Sequence, residues 1–271
     1  MNRLLLALAV VLLAATPASA AISFVGSSGT CNSVSPNGTM NVTLTGSLQA
    51  NDLIIGIWAV GDDNLTDQDI AVSGYTEVAD LAELTDTEDT QLWVGYRYFV
   101  GGDTQMPDTG NFTSLGGTNA SNAACVMVFR GVATAGQGGP FSTTSQTATG
   151  ANSSDADPPQ IATAAGDWVV IVGATGHTGG ATATYTAPTG YTTNFTQRAH
   201  NDTVDVLIGM GYRSSGLSNP ENPGAMTAAT IGTAANNSWA AVTMALKEAP
   251  AITGWGRLLG QKRNRLVIPV E

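Results

Sequence analysis

Two stretches decide the fold: Asn51-Asp52-Leu53-Ile54-Ile55-Gly56-Ile57-Trp58-Ala59 and Gly166-Asp167-Trp168-Val169-Val170-Ile171-Val172-Gly173-Ala174. Each is a turn residue and an aspartate followed by an unbroken apolar run. Further matches follow in the same order. Ser73-Gly74-Tyr75-Thr76 returns as Thr189-Gly190-Tyr191-Thr192, and Leu92-Trp93-Val94-Gly95-Tyr96-Arg97 as Ile208-Gly209-Met210-Gly211-Tyr212-Arg213. Ala124-Cys125-Val126-Met127-Val128 aligns with Ala240-Ala241-Val242-Thr243-Met244. The aspartates are 115 residues apart; the Tyr75/Tyr191, Tyr96/Tyr212 and Val126/Val242 pairs are 116 apart. Four ordered matches at one near-constant shift read as a duplication. The unit exceeds the ~20–50 residues of solenoid and propeller repeats and is long enough for half of a sandwich or a small sandwich.

The repeated segments are short, rich in Val, Ile and aromatics, and bounded by Gly, Asn, Asp and Pro, which is the signature of strands. Leu53–Val60 and Trp168–Ala174 are apolar on both alternations, as expected of strands buried on both faces. Beyond residue 20 no window of twelve or more holds a helical period; Val78–Leu84 comes nearest. The expected fold is all-β: a two-sheet, jelly-roll-like β-sandwich of two repeated halves, about 21–141 and 155–250. Ser142–Ser154 reads as the hinge between them. Residues 251–271 form an appendix.

The N-terminus has the parts of a secretory signal: Arg3, the twelve apolar residues Leu4–Ala15, and Ala18-Ser19-Ala20 before a cut. Twelve residues of helix span about 18 Å, short of a ~30 Å hydrocarbon core. The expectation is a signal-peptide helix over 1–20, a mature chain from Ala21, and an exported product that is extracellular, periplasmic or on a virion surface. From 21 to 250 the basic residues Arg97, Arg130, Arg198, Arg213 and Lys247 face twenty acidic ones. So acidic a surface repels phosphate backbones and speaks against nucleic-acid binding. The tail reverses the sign with Arg257, Lys262, Arg263 and Arg265. Together with Trp255 these are the candidate residues for docking on a partner or on the acidic body.

With the repeat in view, the chain resembles a duplicated β-sandwich module of phage tail and fibre proteins and of bacterial surface proteins. The half-unit is a Gly-Asp-Leu-type strand, a Gly-aromatic turn, a strand ending Tyr-x-Arg, and an apolar strand ending Phe-Arg-Gly. Here the first copy supplies Asn51–Ala59, Gly74-Tyr75, Val94–Arg97 and Val126–Gly131. The second supplies Gly166–Ala174, Gly190-Tyr191, Gly209–Arg213 and Ala241–Leu246. Asn51 replaces the commoner Gly, and Leu246-Lys247 replaces Phe-Arg. The likeness spans about Ile22–Glu248. It implies the fold and a display or adhesion role, and it carries over no catalytic residue.

The remaining chemistry is sparse. His177 and His200 sit in Gly/Thr- or Asn-rich stretches without partners at metal spacing, and read as solvated loop histidines. Asp62, Asp63, Asp67 and Asp69 crowd one loop. Calcium suits such oxygen-rich loops, although EF-hand spacing fails because Asp67 holds the sixth position and Ser73 the twelfth. An ordinary acidic loop is the simpler reading, and no other cofactor is expected. Asp80, Glu83, Asp86, Glu88 and Asp89 make a second acidic patch after Glu77. Two cysteines in an exported chain suit one disulfide, Cys31 to Cys125, and two separate buried thiols fit the sequence as well. The expectation is a non-enzymatic structural or adhesive protein. Its partners would be other subunits, further copies of itself, or a surface glycan. The rivals are a carbohydrate-binding module and a secreted glycoside hydrolase, which would need two acidic-loop carboxylates facing across a cleft.

Overall fold

A computed structural model describes residues 21–28, 32–34, 42, 46–67, 69–101, 120–178, 183–192, 205–229 and 237–251. Among them there is no α-helix. Twelve strands run in chain order: β1 Ser23–Ser27, β2 Asn32–Val34, β3 Leu53–Asp62, β4 Thr76–Glu83, β5 Asp89–Tyr98, β6 Ser121–Arg130, β7 Gln146–Gly150, β8 Trp168–His177, β9 Thr184–Thr186, β10 Asp205–Arg213, β11 Thr227–Ala229 and β12 Trp239–Leu246. The segment nearest to a helical period, Val78–Leu84, falls almost wholly within β4. No described helix is long and apolar enough to cross a membrane.

Two antiparallel sheets carry the fold. The first has the order β1-β6-β3-β5-β4, with β2 also on β6; the second is β7-β12-β8-β10. They pack face to face in a sandwich arrangement. One apolar cluster draws Leu53, Ile55 and Ile57 from β3, Leu92 and Val94 from β5 and Met127 and Phe129 from β6. The second sheet contributes Val170, Val172, Ile208, Met210, Val242 and Met244 to the same cluster. Each sheet takes a contiguous stretch of chain. A jelly roll instead deals successive strands to opposite sheets, so the expected jelly-roll connectivity is not what the described strands form.

The strand orders of the two sheets correspond, and so do their registers. Ile54 pairs with Arg97 and Ile55 with Tyr96; Val169 pairs with Arg213 and Val170 with Tyr212. On the other side Leu53 pairs with Phe129, and Trp168 with Leu246. The outer neighbours Phe24 and Phe141 pair with those same two residues, Phe129 and Leu246. The turns before β3 and β8 agree in detail. Gln49 N donates to Asp52 Oδ2 and Ala164 N to Asp167 Oδ2, both at 2.7 Å. Asn51 (φ 72) and Gly166 (φ 88) hold the left-handed position that follows. Asparagine tolerates that conformation better than other side chains do, which accounts for the departure at position 51.

Two sequence expectations are corrected. Matching Val126 to Val242 puts equivalent residues on opposite faces: Val126 lies on the outer face of its sheet, while Val242 points into the shared core. The face-preserving partners are Cys125 with Val242 and Phe129 with Leu246. Ser142–Ser154 is no hinge, since it contains β7, hydrogen-bonded to β12 from Gln146↔Thr243 to Gly150↔Trp239.

Both outer faces are covered. Val42, Leu65, Ile70 and Val72 close over Trp58 and Trp93 on the first sheet. Ala156, Ile161, Tyr185, Tyr191 and Met226 close over Val169, Ile171 and Leu207 on the second. This is why β3 is buried along its whole length and β8 at all but its first residue.

Candidate functional site

β3 and β8 finish at the same end of the sandwich, where their glycines let the sheets approach. A Cβ on Gly61 would stand 2.6 Å from Asp205 O, and one on Gly176 2.4 Å from Asp89 O. The sheets are also hydrogen-bonded to each other here. Ser238 N donates to Glu88 O (3.1 Å) and Thr90 Oγ1 to Ser238 O (2.9 Å). A sandwich normally closes through side chains about 10 Å apart; this end closes through backbone.

That closure buries acids. Asp62, the last residue of β3, is fully buried and pairs across the strands with Asp89, which is 5% exposed. Asp205 opens β10, fully buried, opposite His177. Glu88, also 5% exposed, is bridged through backbone to fully buried Asn237. Like charges directly across a ladder repel. The four described basic residues of the body (Arg97, Arg130, Arg213 and Lys247) all sit at the strand ends opposite these acids, at the end where Asp52 and Asp167 start β3 and β8. Some bonds do reach the acids: Asp63 N donates to Asp62 Oδ1 (2.8 Å) and Leu65 N to Asp89 Oδ2 (3.0 Å). Asn237 Nδ2 donates to Ser154 Oγ (2.9 Å). Glu88 Oε2, Asp89 Oδ1 and Asn237 Oδ1 are buried without a hydrogen-bond partner.

The electrostatics follow. Burial first, then the charges of Asp63, Asp89, Asp205 and Asp86, push the Glu88 carboxyl up to about 7. Burial likewise raises Asp89, with Leu65 N–H opposing and Asp62, Asp86 and Asp63 adding. His177, read in the sequence as a solvated loop residue, is the fully buried last residue of β8, and burial lowers it to about 4. His200 lies outside the described residues.

The sequence candidates divide. Asp62 belongs to the buried end; Asp63, Asp67 and Asp69 are exposed. No three His, Cys, Asp or Glu side chains among the described residues stand together so as to hold a metal ion. Asp62 and Asp89 do approach each other, but at 0% and 5% exposure neither is offered to a substrate. Two shallow clefts of about 430 and 420 Å³ flank Ala164–Asp167 at the opposite end. Trp58 and Trp93 are buried, and Trp168 stacks on Tyr212 at 5.3 Å. Tyr75 lies edge-on to Trp93 with the Arg97 guanidinium over its ring. Cys125 is disulfide-bonded. Cys31, Trp255, Arg257, Lys262, Arg263 and Arg265 lie outside the described residues.

The sequence reading missed His177, Asp205 and Asn237 as members of one cluster. The signal that could have found them was the repeat: at the shift of 115 that relates Asp52 to Asp167, Asp62 answers to His177, so the two polar strand ends correspond. No family model, no curated protein and no solved structure matches this chain.

Proposed function

We propose that this chain is an exported, non-catalytic structural or adhesive protein whose sandwich arose by duplication of one half-unit, with each half now forming one sheet. The observation that carries this reading is the agreement of both registers. A shared ancestor accounts at once for Ile54↔Arg97 against Val169↔Arg213 and for Leu53↔Phe129 against Trp168↔Leu246. The Gly-aromatic turns support it too. Tyr75 N bonds Val72 O and Tyr191 N bonds Pro188 O, both at 3.1 Å, over Gly74 (φ 79) and Gly190 (φ 86). Residues repeated in this way serve turns and core, which suits a scaffold that displays its loops. The leader-like residues 1–20 and the resemblance to surface and fibre modules support a role outside the cytoplasm.

Expression with the leader in a secreting host tests the setting. A mature N-terminus at Ala21 in the periplasm or medium fits the proposal, and an intact cytosolic product refutes export. Native mass and negative-stain images of the mature protein, with and without 251–271, test the structural role. The expected result is assembly or surface attachment that needs the basic tail. A monomer that attaches to no surface while cleaving model glycosides would overturn it.

A further inference from the structure

We propose that the free edge of β7 is a pairing surface for a second copy of this chain, joined strand to strand in antiparallel register about Ala148. The inference rests on the structural reading above and deepens it by naming where copies meet; residues 251–271 take no part in it. The ladders of β12 show which way β7 points its backbone. Gly176 N donates to Ser238 O at 3.1 Å, one step beyond the Thr175↔Trp239 pair, so the even residues of β12 bond β8. The odd residues bond the other neighbour, as Ser142 N does to Ala245 O. Trp239, Ala241 and Thr243 stand opposite Gly150, Ala148 and Gln146. Those residues of β7 therefore turn their backbone groups to β12, and Thr147 and Thr149 turn theirs outward. Among the described residues, no backbone group of either threonine has a partner on that side.

The other sheet edges are guarded. β4 carries Glu77, Asp80 and Glu83 and a bulge between Glu77 and Ala79. β1 is broken by a bulge between Phe24 and Gly26, and β10 is buried at all but its last residue. β7 has none of these devices. Ser142–Ser154 contains no charged residue and no proline, and the ladder to β12 runs without a bulge. Gln146, Thr147 and Thr149 are exposed. An edge left open in this way is a template for another strand.

The occupant is a second copy because the strand is complementary to itself. Pairing about Ala148 sets Thr147 against the partner's Thr149 and Thr149 against the partner's Thr147. Each outward threonine then donates one backbone hydrogen bond and accepts one, and the interface is isologous. Threonine meets threonine and Gln146 meets the partner's Gly150, so neither charge nor bulk opposes itself. Charge also selects the place. The chain carries a net charge of -11, so two copies repel over most of their surface and can touch where charge is absent. The acids of β4 lie against β7 in the neighbouring sheet, so added salt should tighten the pair rather than loosen it.

The test uses the mature full chain, whose mass is followed by sedimentation equilibrium up to ~100 µM at low and high NaCl. The expected result is a reversible dimer whose dissociation constant falls by about threefold in the higher salt. Thr147→Pro removes an outward N–H and leaves the β12 ladder intact, so it should give a monomer that circular dichroism shows to be folded. Oxidation of cysteine variants checks the register. Ala148→Cys sets two identical thiols opposite each other in a non-hydrogen-bonded pair, with Cα atoms about 4.5 Å apart, near enough for a disulfide. Gln146→Cys lies on the same face but holds its two thiols about 14 Å apart. Only Ala148→Cys should yield a covalent dimer; Cys125 is already disulfide-bonded. A monomer at ~100 µM would overturn the proposal. So would a dimer that survives Thr147→Pro, that loosens in salt, or that Gln146→Cys captures equally well. Export and the role of the basic tail are decided by the separate tests above, so their failure is distinguishable from failure here.

Discussion

Replacing Gly176 by alanine tests whether the sheets meet as closely as the structure has them. The added Cβ would lie 2.4 Å from Asp89 O, 2.9 Å from Thr90 Oγ1 and 3.1 Å from Asp89 C. Ordinary contact begins near 3.4 Å, so the strands must part by about 1 Å, and the nearest obstacle is backbone that cannot swing aside. Overpacking of this kind costs ~1–3 kcal/mol. Parting the sheets also strains the cross-sheet bond from Ser238 N to Glu88 O (3.1 Å), worth roughly 1 kcal/mol. The expected loss is about 2–4 kcal/mol, or roughly 10 °C in melting temperature for a domain of this size. Gly61→Ala, meeting Asp205 O at 2.6 Å, should cost nearly as much. Gly150→Ala meets only the Trp239 ring at an edge strand (2.7 Å) and should cost about 1 kcal/mol. Gly136→Ala meets nothing within 4 Å and should stay within about 0.5 kcal/mol of the wild type. Urea unfolding of the four variants supplies the comparison. If Gly176→Ala falls within 1 kcal/mol of Gly136→Ala, the backbone closure of the acidic end is wrong.

Further expectations follow from other parts of the molecule. His177 binds fewer protons folded, at about 4, than unfolded, near 6.5. Its contribution is therefore complete above pH 6.5 and disappears as pH falls toward 4, amounting to at most about 3 kcal/mol. Urea midpoints of wild type and His177→Gln should converge across that window, and a constant gap would refute the assignment. Arg130 pairs with Asp52 at 2.8 Å, where the acid side chain is 1% exposed and the arginine 36%. Arg130→Met leaves a buried carboxylate without its cation and should cost about 2 kcal/mol, less than a fully buried pair because the arginine is partly hydrated. Asp52→Asn/Arg130→Met should recover part of that loss in chemical denaturation. With Cys125 in a disulfide, the denatured, unreduced chain should show no free thiol. Reduction should destabilise it by about 4 kcal/mol, given the long chain segment enclosed; a titratable thiol before reduction would refute this.

The apolar runs Leu53–Val60 and Trp168–Ala174 announced by themselves that the chain is β, that these strands are central, and that something covers both of their faces. They could do so because burial on both faces is a property of composition, readable without partners. The aspartate turns at Asp52 and Asp167 were equally legible, being local hydrogen-bonding units. The same uniformity hid the parity of β6 and β12. Ala123–Phe129 is apolar at every position, so no alternation marks which side faces in, and only the ladder with β3 shows that Val242 answers to Cys125. Likewise β7, five polar or small residues, looks like a linker until β12 pairs with it. The acidic end is the product of tertiary structure alone. Glu88, His177, Asp205 and Asn237 are scattered along the chain and meet because two antiparallel sheets end together. Sequence fixes which strands can be buried, but which strand ends coincide depends on register and sheet packing, which are long-range choices.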